Sequence, residues 1–374
     1  DSLAGKWAAI LRNQRTDETM RRGNFAFHSW IRQALYENMP YDQFVAAIVG
    51  ATGDVSDHPP VAWYRQVDEV NEQAEDTAQL FLGLRIQCAR CHHHPLEKWS
   101  QDDYYGFAAF FSRLGRKPGA EPGEVRIVHQ TGVASATNPK TSAAVRPAGL
   151  GAEAIDVPAN QDPREGLVAW MTAPENPYFA RALVNRYWKH FFGRGLVDPE
   201  DDLRETNPAT NPELLDALAK HFEQSGFDLQ DLVKTICKSN TNQLSAEPNE
   251  YNGDDRQNFS RYYPRRLPAE VLLDAIDNVF GQPTKFAGMP SGTHAVQLPD
   301  SGFDSFFLTA FGRPQAVSAC ECERTSDASL VQSLHLTNSD ALQRQLSADG
   351  GRAARLASES NSGADEKISE HYLT

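Results

Sequence analysis

Two short clusters hold most of the residues in this sequence that could do chemistry. The first reads Cys88-Ala89-Arg90-Cys91-His92-His93-His94-Pro95. Two thiols three positions apart, followed at once by a histidine, form C-x-x-C-H, the attachment signature of a c-type haem. The thiols can reach the two vinyl groups on one edge of the porphyrin, and His92 can then place its imidazole on the iron. The same Cys88/Cys91 spacing also suits a zinc knuckle or a redox disulfide. The second cluster is Cys320-Glu321-Cys322. In an extended run, positions i and i+2 project to one face, so two thiolates there make half of a metal site. Joined to Cys88 and Cys91 they would form a four-cysteine site for zinc or iron, with His92 or His94 able to replace one thiolate. The plainer alternatives are buried cysteines or pairing with other thiols, a bond between Cys320 and Cys322 themselves being geometrically awkward.

A haem held by His92 needs its sixth ligand from elsewhere, because His93 and His94 are too close in sequence to cross the ring. The candidates are His335, His129, His58, Met171 and Met289. His335 is preferred, since it falls in the apolar stripe of a helix near the C-x-C. Tyr104, Tyr105, Phe107 and Phe110 follow the first cluster and are expected to line its pocket. The acid- and arginine-rich runs at 200–208 and 322–329 read as loop salt bridges and helix caps. Asp102-Asp103 reads as charge at a helix start, not as a catalytic pair. There is no Gly-rich phosphate loop, no G-x-S-x-G and no H-E-x-x-H. No substrate pocket can be read, so whether the chain is an enzyme stays open.

The elements that must position these residues are mostly helical. Apolar residues recur at helical spacing over 4–13, 24–37 and 41–49. A stripe through Ala74, Ala78, Phe81 and Leu84 predicts a helix over 71–85 that delivers the chain to Cys88. Pro95 pushes His94 out of helical geometry. Ser100 and Asp103 form a capping-box start for a helix running to Gly115. Residues 115–160 are rich in Gly, Pro, Ala, Ser and Thr, with one strand-like run at 124–132 and room for one hairpin. Helices return after 161. Asn176-Pro177 to Gly193 and Asn211-Pro212 to Gly226 carry start and stop signals. Further helices run from Asp228 to Ile236, from Pro268 to Phe280 and over 328–347. The stretch 282–303 reads as loop, 349–364 as a loose tail and 364–374 as the start of another helix. The fold class is mostly α, helical domains with a short β-containing connector. The segments are 1–114, 115–160 and 161–374.

The composition sets outer limits. The chain has 374 residues, 40% hydrophobic and 23% charged, enough to bury a sizeable core. Lys+Arg total 36 against 50 Asp+Glu, a net charge of −14, which argues against a nucleic-acid surface. No apolar run is long enough to span a bilayer. Five cysteines are too few for a disulfide scaffold. The chain opens at Asp1 without a signal peptide and reads as a piece of something longer.

Three stretches resemble a known family pair. "AEDTAQLFLGLRIQCARCHHHPLEKWSQDDYYGFAAFFSRL" resembles the end of the planctomycete cytochrome c-like domain (PSCyt type). "NPYFARALVNRYWKHFFGRGLVDPEDDLRETNPATNPELLDALAKHF" is similar to the start of the planctomycete-specific domain (PSD type) that follows it. "FGRPQAVSACECERTSDASLVQSLHLTNSDAL" is similar to the later signature of that second domain. By position, the family's C-x-x-C-H-x-H-P falls on Cys88, Cys91, His92, His94 and Pro95. Its C-E-C-E-R falls on Cys320, Glu321, Cys322, Glu323 and Arg324, and its L-H-L-x-N on Leu334, His335, Leu336 and Asn338. Cys237 lies outside these patterns. The resemblance implies a haem-associated protein exported to the periplasm or cell surface, with redox proteins or other exported proteins as partners and no assigned reaction. Electron transfer through haem c at Cys88, Cys91 and His92 leads. The alternative is a non-haem zinc or iron site drawing on His92, His94, Cys320, Cys322 and His335, holding two domains together in a cell-surface interaction protein.

Overall fold

Apolar stripes at helical spacing become helices through the whole first segment. The structure is a computed structural model that describes residues 1–325, 327–358 and 363–373. Helices Ser2–Ile10, Arg21–Tyr36 and Tyr41–Val49 occupy the three predicted runs. Their aromatic residues converge, with Trp7 edge-on to Phe44 at 5.3 Å and Trp30 stacked on Phe44 at 5.1 Å. The same core continues into helices Pro163–Met171, Phe179–Phe192, Pro212–Gln224 and Leu229–Lys238. Tyr41 stacks on Phe179 at 4.9 Å, and Trp7 Nε1 donates to Tyr187 Oη at 3.3 Å. A second cluster, with Leu273, Phe286, Phe303, Phe307 and Phe311, gathers around helices Ala269–Phe280 and Phe306–Ala310.

The connector is richer in β-structure than one hairpin. Strand Leu114–Pro118 pairs antiparallel with Val125–His129, in the register Gly115↔Val128 and Lys117↔Arg126. A second small pair joins Ala136–Thr137 to Ala144–Val145. The Ser100/Asp103 capping box forms as expected, but its helix, Gln101–Ala109, stops short of Gly115, because Gly115 is already pairing in the first strand. The next helix begins at Phe179 with Tyr178 as its N-cap, so Asn176 and Pro177 lie just ahead of it, and the Asn176 side chain accepts from the amides of Tyr178 and Phe179 across that entry turn.

Three boundaries differ further. The run over 328–347 is two helices, Leu330–Asn338 and Asp340–Leu346. Ser339 between them is extended, and its hydroxyl caps the amide of Leu342. The tail expected over 349–364 contains helix Arg352–Ser358, while residues 359–362 lie outside the described ones. The helix expected over 71–85 runs Val70–Thr77, widens into a π-turn at Ala78–Leu82 and ends at Gly83.

The early end at Gly83 has a specific cause. Gly83 has φ +65°, a left-handed conformation in which glycine carries no Cβ penalty. Its carbonyl accepts from Leu203 N at 2.8 Å, and a Cβ there would meet Leu203 Cδ1 at 2.8 Å. The turn redirects the chain toward Cys88. Gly83→Ala is therefore expected to cost about 2 kcal/mol or more, from left-handed strain plus overpacking, read as a lower urea midpoint.

Candidate functional site

Beyond Gly83 the chain makes a tight 3-10 turn, Gln87–Arg90, closed by the amides of Cys91 and His92 on the Cys88 carbonyl, both at 3.4 Å. Its two faces differ completely. Ile86 and Ala89 are fully buried, whereas Cys88, Cys91 and His92 are exposed. Positions i, i+3 and i+4 of one helical turn share a face, so the two thiols and the imidazole point outward together. Cys88 and Cys91 are free thiols. The Arg90 carbonyl accepts from Gln101 Nε2 and from Tyr105 Oη, each at 3.1 Å, which clamps the turn to helix Gln101–Ala109.

The neighbouring histidines have divided roles. His94 is buried, and both its ring nitrogens are used. Nδ1 accepts from Leu96 N at 3.3 Å, which fixes the tautomer and leaves Nε2–H to donate to the Arg85 carbonyl at 3.1 Å. It is a clasp on its own loop and has no nitrogen left for a metal. His92 bonds through Nδ1 to the His93 carbonyl at 2.7 Å, which leaves Nε2 without a partner among the described residues. That is the arrangement in which a ligating imidazole is oriented by its second nitrogen.

Three of the four aromatic residues expected to line a pocket are committed elsewhere. Tyr104, Phe107 and Phe110 are packed into the main core, and Tyr104 Oη donates to Glu75 at 2.7 Å. Only Tyr105 stays half-exposed beside the turn. Two surface clefts, one at Thr52, Asp162 and Glu165 and one at Glu175, Arg181 and Lys220, are lined by no residue of the turn. The proposed sixth ligands have other neighbours. Met171 is in the main core and Met289 packs on the second. His335 lies against Phe306 and Phe307, with ring centres 5.1 and 5.6 Å away. His58 sits over Gly53, and His129 pairs with Leu114 in the first hairpin. For a covalent haem the donors therefore fit, two outward thiols with the His92 Nε2 beside them, while the enclosing aromatic walls do not.

The second cluster is built differently from a half metal site. Cys320 and Cys322 are bonded to each other, so neither offers a thiolate to Cys88 and Cys91. Among the described residues, no three His, Cys, Asp or Glu side chains converge to hold a metal. The charged residues of the motif are fasteners. Glu321 meets Lys6 Nζ at 2.7 Å and Arg186 at 3.3 Å. Glu323 accepts the amides of Ala316, Val317 and Ser318. Arg324 forms a forked pair with Glu270, at 2.8 and 3.1 Å. The 200–208 run also forms salt bridges, with Asp201 taking both Arg85 and Gln79 at 2.5 Å and Glu200 taking Lys189. Sequence reasoning missed Lys6 and Arg186. The available signal was a charge inside an apolar stripe, Arg186 between Leu183 and Tyr187 on the buried side of its helix.

Two outcomes follow from this geometry. Burial alone would push the Glu321 carboxyl up, but Lys6 and Arg186 outweigh it and hold the pKa well below the usual carboxylate range. A depressed folded-state value means that the stability Glu321 supplies is complete above about pH 4, its unfolded value, and is lost as the pH falls through the folded one. Urea unfolding at stepped pH should show that acid loss. In Glu321→Gln the acid dependence flattens, and neutral-pH stability drops by about 3 kcal/mol because two buried cations lose their counter-charge. His94→Ala should lower stability by about 1–3 kcal/mol through unsatisfied buried groups, whereas His92→Ala should stay within about 0.5 kcal/mol of the parent.

Two family models match separate stretches of the chain. Residues 163–300 match the PSD1 model, described as a protein of unknown function (DUF1553). Residues 1–116 match the PSCyt2 model, described as a protein of unknown function (DUF1549). No curated protein and no solved structure matches the chain. The two matches thus follow one another in the PSCyt-then-PSD order, over residues 1–116 and 163–300.

Proposed function

We propose that residues 88–92 are a covalent haem-attachment turn, and that the chain is an exported c-type haem-associated protein exchanging electrons with redox partner proteins. One observation carries the reading. Two free, exposed thiols three residues apart share an outward face with His92, whose ring is held through Nδ1 and whose Nε2 points away from that bond. Cys88 and Cys91 would hold the porphyrin by thioether bonds, and His92, oriented by its bond to the His93 carbonyl, would offer Nε2 to the iron. When bound, haem supplies one-electron exchange at a potential set by axial ligation, hydrogen bonding and burial.

The chain's own contribution is rigidity under an open face. Arg85, Gln101, Tyr105 and His94 fix the backbone on both sides of the turn. With the aromatic residues committed to the core, a group attached here would keep a side toward solvent, where a partner protein can approach. Leu96, half-exposed beside the turn, gives that face an apolar margin. No helix among the described residues is long and apolar enough to cross a membrane. Export to the periplasm or cell surface rests on the family resemblance and belongs to the same proposal. The zinc-or-iron alternative asks for more donors than the turn gathers, since His94 and the Cys320–Cys322 pair are engaged elsewhere.

The test is a reduced pyridine haemochrome spectrum of the denatured full chain, produced alongside a c-type cytochrome maturation system. The expected result is a haem c band that survives denaturation and disappears in Cys88→Ser/Cys91→Ser. Absence of the band, together with stoichiometric zinc or iron by elemental analysis, would overturn the reading in favour of a non-haem site.

A further inference from the structure

The Cys320–Cys322 bond lies where a structural staple adds little. A disulfide's chain-entropy contribution grows with the loop it closes, and only one residue separates these two cysteines. The turn is held without it. Glu321 is fixed by Lys6 and Arg186, Glu323 by the 316–318 amides, and Arg324 by Glu270. The two sulfurs are also unequal. Cys322 is exposed and Cys320 is half-buried, and the backbone N–H of Cys322 donates to Cys320 Sγ at 3.0 Å. An incoming thiolate can reach Cys322, and the sulfur it displaces already faces a hydrogen-bond donor.

We infer that Cys320–Cys322 is a redox-active disulfide that exchanges with a dithiol partner, independently of the haem-attachment turn. A partner thiolate attacks Cys322 Sγ and forms a mixed disulfide. The bond to Cys320 breaks, and its electron pair stays on Cys320 Sγ beside the Cys322 N–H. The partner's second thiolate then attacks the partner sulfur of the mixed disulfide, which closes the partner's own disulfide and releases Cys322. Two electrons and two protons pass from the dithiol to the pair, leaving two thiols. The charged anchors keep the two Cα atoms near their 5.1 Å separation, so the reduced pair stays placed to close again on an oxidised substrate. Glu321 thus serves the exchange as a positioning residue.

The full chain, as purified, is incubated in glutathione buffer with a reporter protein carrying scrambled disulfides. The expected result is rearrangement at least roughly tenfold faster than in glutathione alone, the gain coming from the preset geometry. Cys322→Ser should remove that gain. In Cys320→Ser treated with oxidised glutathione, peptide mass mapping should find the glutathione on Cys322. Unchanged rearrangement in Cys322→Ser, which would assign the activity to other thiols, overturns the inference, as does a parent chain no faster than glutathione. A third measurement needs no substitution. In the parent chain the 320–322 peptide should open in reduced glutathione and re-form in oxidised glutathione, and a pair that stays two thiols, or never opens, contradicts the inference.

Discussion

A guanidinium taken out of water must find partners, and the position of Arg186 shows what that demand organises. Its side chain is almost completely buried in the middle of helix Phe179–Phe192. It pairs with Glu321 at 3.3 Å and donates to the Leu80 carbonyl at 3.3 Å. Lys6, from the first helix, meets the same carboxylate. Four stretches far apart in sequence are thereby brought to one point: the start of the chain, the π-turn before Gly83, a later helix and the C-E-C-E-R loop. A buried charge pair of this kind adds little net stability over apolar packing, but losing one partner is expensive, so it enforces one arrangement of the segments.

The exposed turn depends on that arrangement through its inner side. Leu80, which receives Arg186, lies in the π-turn whose end at Gly83 sets the direction of residues 84–92. Arg85 is held by Asp201, and His94 closes the loop back onto the Arg85 carbonyl. Once the inner side is satisfied, no side chain among the described residues bonds Cys88, Cys91 or the His92 Nε2. Three adjacent histidines of the same residue type end in different states for this reason. His94 lies between a core tryptophan and a buried loop, bonding its backbone N–H to Trp99 O at 2.9 Å, whereas His92 and His93 ride on the outer face.

Much of this was legible in the residues. Apolar periodicity located the helices, the Ser100/Asp103 pair marked its helix start, and the strand-like run at 124–132 contains a strand. Local chemistry was readable because it is set by neighbours in sequence. What failed depended on distant contacts. The helix over 71–85 ended early because Leu203 packs against Gly83, and the aromatic run after Ser100 turned inward because a core from the later helices receives it. The 328–347 run broke at Ser339, whose hydroxyl cap was as readable as that of Ser100. The C-x-C pair read as ligands in an extended run, but the chain curls there into a 3-10 turn, which brings the two sulfurs together.

The molecule thus separates holding from reacting. Buried ion pairs, capped turns and aromatic packing fix the backbone, and the free thiols of Cys88 and Cys91 stand on its surface beside His92. The most direct measurement of that division is peptide mass mapping of the full chain matured with a c-type attachment system. The peptide containing Cys88 and Cys91 should carry the mass of haem through thioether bonds that acidic acetone does not extract. Two unmodified thiols on that peptide, from protein matured in parallel with an authentic c-type cytochrome that does carry haem, would contradict the assignment of the 88–92 turn.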